Sequence, residues 1–482
     1  MHFCLILPPC DMLPVVPTGI LYLAEAVEAA GMEVTILDQS VPEICAGLDR
    51  HIRPDTMAVG ISTLSGSMLG NAIAVAHHLR ARWPAMPLIW GGAHPTALPE
   101  QTLQSSLVDY VAVGEAEVSL VHLLDAIRRG GGWQTIAGIG YKCDNRPKIN
   151  PNAPFTALDR VFDLPYRLLD MERYKRKLRV GGDRWFSVLA SRGCPYRCKF
   201  CSNSSSVWPN TKVRHNTLDH VAHDIGRLVR DYGADGILFN DEVFFVGEKR
   251  LTVFLNFLKD CDFGIRYRAA ARVDTLARLG DETWRLLRDV GFIGIGMGVE
   301  SGSTRALEIM GKGITPDQVR ASVEKMNSVG IRKTFNIMTC VPGETVEDVR
   351  ETLRLIVWLG RASMESPLPF GQSINKYIPL PGTELYDVAI TRFGFKPPAN
   401  LEGWTDLDFE DFRDKSSRVR PWLTPDLIDY VDRANGLMAR LNSSFTGRME
   451  DRPQMEAAIA AIESFVDTGT LPPDQAARRA ET

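Results

Sequence analysis

Cys194-Pro-Tyr-Arg-Cys198-Lys-Phe-Cys201 follows directly on the apolar run from Trp185 to Ala190. Three thiolates separated by gaps of three and two residues can converge on one soft metal centre from a single loop. They leave a cubane [4Fe–4S] cluster one ligand short, so one iron stays open for a substrate. A structural zinc site would need a fourth ligand, and the nearest histidine, His215, lies fourteen residues beyond Cys201. A disulfide framework does not suit nine cysteines spread over 482 residues with no secretory start.

The rest of the chain sets the bounds. A length of 482 residues accommodates two or three domains with substantial cores. Hydrophobic content of 45% and charged content of 24% are ordinary for a globular protein. A net charge of −4 gives no electrostatic footprint for nucleic acid. The apolar start Phe3 to Leu7 is too short for a signal-peptide core, and Pro8-Pro9 interrupts it. No stretch approaches the roughly 18 apolar residues of a membrane span. The expected location is therefore the reducing cytoplasm.

Upstream of the cysteines, residues 1–145 alternate strands with helices. Phe3–Leu7, Glu33–Leu37, Met57–Ile61, Pro87–Trp90 and Tyr110–Val113 are short apolar runs bounded by turn signals or rich in β-branched residues. Ile20–Ala30, Ser67–Trp83 and Glu117–Arg129 carry helical patterns between them, with Leu69, Ile73, Ala76, Leu79 and Trp83 at helical spacing. This predicts a doubly wound, Rossmann-like parallel sheet that binds its ligand at the carboxyl ends of the strands. Ser62-Thr-Leu64 follows the third strand and Gly91-Gly92 the fourth. Residues 146–183 read as a linker. Its basic run, Arg173 to Arg179, reads as a solvated helix face.

Over 184–400 six strand–helix repeats can be counted, with strands near Phe186–Ser191, Gly236–Asn240, Arg266–Val273, Phe292–Val299, Lys333–Cys340 and Ser373–Ile378. Six repeats make a partial (β/α)6 barrel of the TIM type, open at one side. Residues 401–482 read as a mostly helical segment that either caps the substrate pocket or covers the barrel, with helices near Thr424–Asn442 and Met455–Asp467. Trp404 to Phe412 is acidic and aromatic, and the last dozen residues look frayed.

The cysteine triplet resembles that of the radical S-adenosylmethionine (SAM) enzymes. The S-x-L…G-G pair resembles the cobalamin-binding domain. Together they are similar to the cobalamin-dependent radical SAM methyltransferases. The resemblance implies that Cys194, Cys198 and Cys201 hold the cluster and that Phe200 lies near the SAM adenine. It implies that Asp241 and Glu242, after the second barrel strand, meet the SAM ammonium, and that Glu300 meets the ribose. Arg272 is left between the SAM carboxylate and an interior pair with Asp241 or Glu300. Ser62, Leu64, Gly91, Gly92, Gly114 and Glu115 are expected at the cobalamin, with His94 either a neighbour of it or an ordinary turn residue. The family's D-x-H-x-x-G loop has no counterpart in Pro8–Gly19, which contains no histidine; the cobalt is therefore expected to lack a protein imidazole. Cys340 stands where the family usually has glycine in the turn Val341-Pro-Gly-Glu-Thr345, read as a packed small residue or as a thiol near the site.

The implied reaction uses a 5′-deoxyadenosyl radical and methylcobalamin to methylate an unactivated centre of a small molecule of the natural-product kind. A flavodoxin- or ferredoxin-type reductant is the implied partner, with no membrane and no nucleic acid. An oxidative cyclase of the porphyrin-ring type keeps the same cofactors and stays open. A tRNA methylthiotransferase would need a second cysteine triplet, and residues 46–142 contain no cysteine to complete one. A non-catalytic cobalamin sensor does not suit an intact cluster motif.

Overall fold

The computed structural model describes all residues except 11–14, 179–181, 365–370, 406–419, 445–451 and 472–482. Two seven-stranded sheets organise the chain. The first contains β1 (His2–Ile6), β2 (Glu33–Leu37), β3 (Thr56–Ser62), β4 (Leu88–Gly91), β5 (Tyr110–Ala112), β6 (Ile139–Cys143) and β7 (Arg146–Ile149). Its order is β2-β1-β3-β4-β5-β6-β7. The first five strands are parallel, and β6 and β7 add an antiparallel hairpin at the edge. In this order the winding reverses between β1 and β3, and the crevice outside the strand ends there is where such sheets take ligands.

The apolar runs seen in the sequence become strands because both faces of this sheet are covered. Phe3 and Leu5 enter one core, and Cys4 and Ile6 enter the other. A helix at Val41–His51, between β2 and β3, was not anticipated. It starts on a capping box in which Ser40 and Glu43 satisfy each other's end groups.

The second sheet runs β16-β15-β14-β13-β12-β9-β8. These are β8 (Arg176–Leu178), β9 (Gly182–Val188), β12 (Gly236–Phe239), β13 (Arg266–Ala271), β14 (Phe292–Glu300), β15 (Arg332–Thr339) and β16 (Gly371–Lys376). The small pair β10 (Ser191–Arg192) and β11 (Arg214–His215) stands apart from it. From β9 to β16 the second sheet is parallel, giving the six-stranded half-barrel. The basic run read as a helix face is corrected in part: Arg176–Leu178 pairs antiparallel with β9, so it closes the sheet edge. The final residue of that run, Arg179, lies outside the described residues.

Alternate side chains of each barrel strand pack outward. The rings of Phe239, Tyr267 and Phe292 stack beneath the outer helices. Two helices after the barrel, Pro425–Ser444 and Arg452–Thr468, pack on the barrel's last helix, Val346–Met364. Gly360 permits the approach, since a Cβ there would stand 2.9 Å from Ile459 Cδ1. This helical pair therefore covers the outside of the barrel. Much of the acidic, aromatic stretch after Trp404 lies outside the described residues.

The two sheets meet in a polar seam. Tyr22, from helix Thr18–Ala29, shares a 2.8 Å hydrogen bond with His220 of helix Leu218–Tyr232. Asn216 donates to the same hydroxyl at 3.2 Å. Asp224 lies 3.5 Å from His220 Nε2. Burial pushes the Asp224 carboxyl up to about 8 and pulls His220 down to about 4. Between those values both groups are neutral, so this contact is not an ion pair at neutral pH. Among the described residues, no helix is long and apolar enough to cross a membrane.

Candidate active site

The cysteine loop leaves β10 under tight restraint. Gly193 has φ +91°, and a Cβ there would stand 2.4 Å from the Lys212 carbonyl oxygen, so only glycine fits. The Gly193 N–H donates to the Glu242 carboxylate at 3.2 Å, and the Cys194 N–H to the Asn210 carbonyl at 3.0 Å. The Lys199 N–H donates to the Met310 carbonyl at 2.9 Å. Ser204 Oγ lies 2.6 Å from the Cys198 carbonyl and 2.8 Å from that of Cys201. All nine cysteines are free thiols.

Burial pushes the Cys194 and Cys201 thiols up, and the neighbouring charge of Cys198 adds to both shifts. Among the described residues, no group of three or more His, Cys, Asp or Glu side chains is arranged around a single ion. A cubane asks for something wider, because each thiolate binds a different iron corner.

Around this loop the structure adds partners that sequence reasoning missed. The Arg272 guanidinium lies 3.8 Å from the centre of the Tyr196 ring. Its Nη1 approaches Cys198 Sγ at 3.3 Å, its Nε donates to Asp274 at 2.9 Å, and its Nη2 donates to the Lys312 carbonyl at 2.5 Å. Of the two readings of Arg272, the interior pair with Asp241 or Glu300 is thus corrected: its carboxylate partner is Asp274, two residues along the chain. Glu300 instead binds Lys312 Nζ at 2.7 Å, both side chains being buried. Lys312 Nζ also sits 5.8 Å from the centre of the Phe200 ring. Glu300 has φ +61°, and a Cβ on Gly298 would fall 2.6 Å from its Oε1. Lys312 did leave a signal, since it is flanked by Gly311 and Gly313, both at positive φ.

Asp241 and Glu242 point different ways. The Asp241 carboxylate accepts from the Ala190 N–H at 3.2 Å and the Ser191 hydroxyl at 2.5 Å, and burial pushes it up to about 7. Glu242 anchors the cysteine loop through Gly193 and, at 3.4 Å, Asn210 Nδ2. Cys340 is buried at φ +64°, where glycine is favoured. Its carbonyl accepts from Trp422 Nε1 at 2.8 Å, and burial pushes its thiol up to about 12.

Two cavities lie at the strand ends of the first sheet. The larger, about 430 Å³, has one wall of Leu64, Ser65 and His94. Ser202, Asn203 and Trp208, just past the cysteine loop, form the opposite wall with Leu380 and Pro381. The smaller, about 210 Å³, is lined by Ser62, Gly91, Glu115 and Arg192, among others. Gly92 and Gly114 border both. Every first-domain residue singled out from the sequence therefore faces one cavity or the other. A Cβ on Gly92 (φ +95°) would meet the Thr63 carbonyl oxygen at 2.7 Å, and one on Gly114 (φ +75°) would meet the Trp208 ring at 2.4 Å.

His94 is a wall of the larger cavity. Its Nδ1 bonds Ser65 Oγ at 2.8 Å, its Nε2 is buried without a partner, and burial pulls it down to about 4. The Pro8–Gly19 loop contributes Cys10 to the same cavity, and its residues 11–14 lie outside the described ones. Arg192 ties the two halves together, bonding Glu117 at 2.7 Å and approaching Glu115 at 3.4 Å, with its guanidinium 4.2 Å from the Tyr22 ring centre.

Residues 13–124 match the B12 binding domain, and residues 188–356 match the radical SAM superfamily. An uncharacterized methyltransferase of Pyrococcus horikoshii is 29% identical over 405 residues, covering 81% of this chain and 83% of its own. An anaerobic magnesium-protoporphyrin IX monomethyl ester cyclase of Rubrivivax gelatinosus is 23% identical over 472 residues, covering 94% of this chain and 79% of its own. The fold is shared with the radical SAM methyltransferase TsrM of Kitasatospora setae, solved with cobalamin and a [4Fe–4S] cluster bound. The TM-score is 0.65 at 18% identity, over 95% of this chain and 99% of that one. With both domain families in one chain, on this fold and with two cavities meeting beside the cysteine loop, the chain belongs to the cobalamin-dependent radical SAM enzymes.

Proposed function

We propose that the chain is a methyltransferase acting on an unactivated centre of a small molecule, with Cys194, Cys198 and Cys201 as the cluster ligands. The observation that carries this reading is the pair of joined cavities set directly beside the cysteine loop. The wider room suits a flat macrocycle and the narrow slot beside Ser62, Gly91 and Glu115 suits its nucleotide tail. When bound, the cluster supplies the electron that cleaves SAM, and cobalamin supplies a methyl carrier facing the substrate.

The chain's own residues orient and shield. Lys312 neutralises Glu300 next to Phe200, where the ribose and adenine of SAM would lie. Arg272 places a positive charge on Cys198 and fixes the loop that carries it. Glu242 holds the loop backbone, while Asp241 secures the preceding residues, so these two acids support the SAM site from behind. The Pro8–Gly19 loop contains no histidine, which supports a cobalt without a protein imidazole from that loop, while His94 lines the cavity with Nδ1 on Ser65 and Nε2 unpartnered. A small flavodoxin- or ferredoxin-type protein is the proposed electron donor.

The cyclase alternative rests on three relatives that carry that name, at 23%, 24% and 23% identity, against a methyltransferase-named relative at 29%. The test is anaerobic reconstitution with iron, sulfide and hydroxocobalamin, followed by desalting and addition of reductant with methyl-labelled SAM. S-adenosylhomocysteine together with label on the cobalamin is the expected result. 5′-Deoxyadenosine alone, with cobalamin never labelled, would favour the cyclase class. Cys198→Ala should abolish deoxyadenosine formation while cobalamin stays bound.

A further inference from the structure

The half-barrel lumen carries positive charge that the proposed chemistry does not use. Strands β13, β14 and β15 are parallel, and residues in register share a face. Arg268 pairs with Gly294, and Gly294 with Arg332, so two arginines flank a residue with no side chain. The opposite faces of these strands, including Tyr267, Ala269, Ile295, Met297, Phe335 and Ile337, are buried in the outer apolar core. The arginines therefore face the lumen, where Ala270 and Asn336 are exposed.

Gly294 is required for the arrangement: a Cβ there would stand 2.8 Å from Arg268 Nε, so the Arg268 side chain lies across the gap between the strands. Arg268 makes no ion pair or side-chain hydrogen bond with any described residue, and neither does Arg176 on β8. Burial pulls the Arg268 guanidinium down to about 10, and repulsion from Arg332 and Arg176 adds to the effect. Above this row the lumen face of β14 continues as Gly296 and Gly298 up to Glu300, and none of these positions is acidic until Glu300 itself.

A guanidinium facing other guanidiniums, with no carboxylate of its own, is a receptor for an oxyanion, which it binds with two parallel N–H donors. Arg268 lies four residues before Arg272, which directly follows the end of β13, roughly 13 Å at ~3.3 Å per residue. We propose that the substrate is an anion, a carboxylate or a phosphoryl compound, whose charged group is seated by Arg268 over Gly294. Its reacting atom is then presented up the glycine-lined track toward the cysteine loop. This rests on reading the lumen as the substrate room of the proposed methyltransferase.

The test uses the anaerobically reconstituted holoenzyme and two probe anions, malonate for a carboxylate and pyrophosphate for a phosphoryl group, titrated calorimetrically at two salt concentrations. The wild type should bind one of them in a salt-dependent way, and the anion preferred names the source. Arg268→Gln should weaken that anion at least tenfold, and Arg268→Lys by less, with cobalamin and cluster absorbance unchanged in both. Gly294→Ala keeps every charge but displaces Arg268, and it should weaken the same anion even if Arg268→Gln loads its cofactors poorly. Binding of neither anion by the wild type, or equal affinity in wild type and variants, overturns the proposal. A wild type that binds the anion through Arg268 yet never labels its cobalamin refutes methyl transfer alone. One that labels cobalamin but ignores Arg268 refutes the anion site alone.

Discussion

Replacing Arg192 by Met removes the charge that joins the cobalamin-side sheet to the cysteine loop. Arg192 lies two residues before Cys194, and its pair with Glu117 leaves each side chain only 9% exposed. Burial works against the Arg192 charge, yet Glu117 and Glu115 hold it above its ordinary value. After the substitution Glu115 keeps Arg214, but Glu117 keeps only the Thr156 hydroxyl at 2.9 Å. Breaking a buried pair from one side costs about 3–5 kcal/mol, because the other charge stays buried. Loss of the contact with the Tyr22 ring adds about 0.5–2 kcal/mol. An exposed pair such as Arg361–Glu463 would be worth about 0–1 kcal/mol by comparison.

Equilibrium urea unfolding of Arg192→Met, Glu117→Gln and the double variant would close a cycle on this pair. The single Arg192 variant should lose at least about 3 kcal/mol, and the double variant should recover a large part of it. Cobalamin retention after desalting should fall in parallel, since Arg192 lines the narrower cavity. A loss within about 0.5 kcal/mol of wild type would refute the reasoning, because the seam would then behave as a surface contact.

Gly114→Ala forces a side chain onto φ +75° and against the Trp208 ring, so cobalamin absorbance after desalting should drop while the cluster still assembles. Asp224 carries a carboxyl raised to about 8 in the fold against roughly 3.9 when unfolded. The folded state therefore binds the extra proton, and stability falls as pH climbs through that interval. Asp224→Asn should raise the unfolding temperature at pH 8 to 9 and change it little at or below about pH 4, as differential scanning fluorimetry would show. Cys340→Ala should retain methyl transfer, because that thiol is buried, raised to about 12, and positioned by its backbone conformation; loss of turnover would return it to the reaction.

Short-range signals made most of this architecture legible. The strand–turn–helix rhythm placed all five parallel strands of the first sheet and all six of the barrel, because alternation and turn residues act within a few positions. The glycines at 92 and 114 could be singled out for the same reason. The helix Val41–His51 was overlooked although Ser40 and Glu43 spell its capping box. What could not be read was the choice of partner among buried charges. Arg272 had several carboxylates within plausible reach, and only the half-barrel's curvature sends it to Asp274 and Cys198. Lys312 and Trp208 are brought in from other segments, and nothing local marks what they will touch.

Trp404 bears on how such a chain can be divided. Although it follows the barrel in sequence, it is buried with Leu401 in the apolar core of the first sheet, and its indole donates to Gln101 at 2.7 Å. Its ring meets His94 edge-on at 5.9 Å. Trp422, eighteen residues later, is back against the barrel on the Cys340 carbonyl. The polypeptide thus stitches one cofactor half, then the other, then returns. An excised first half would carry an open slot where an indole belongs, beside the very histidine that shapes its ligand cavity. Such halves cannot be exchanged like cassettes between relatives: a swap that ignores residues 401–404 would transplant a lock without its bolt.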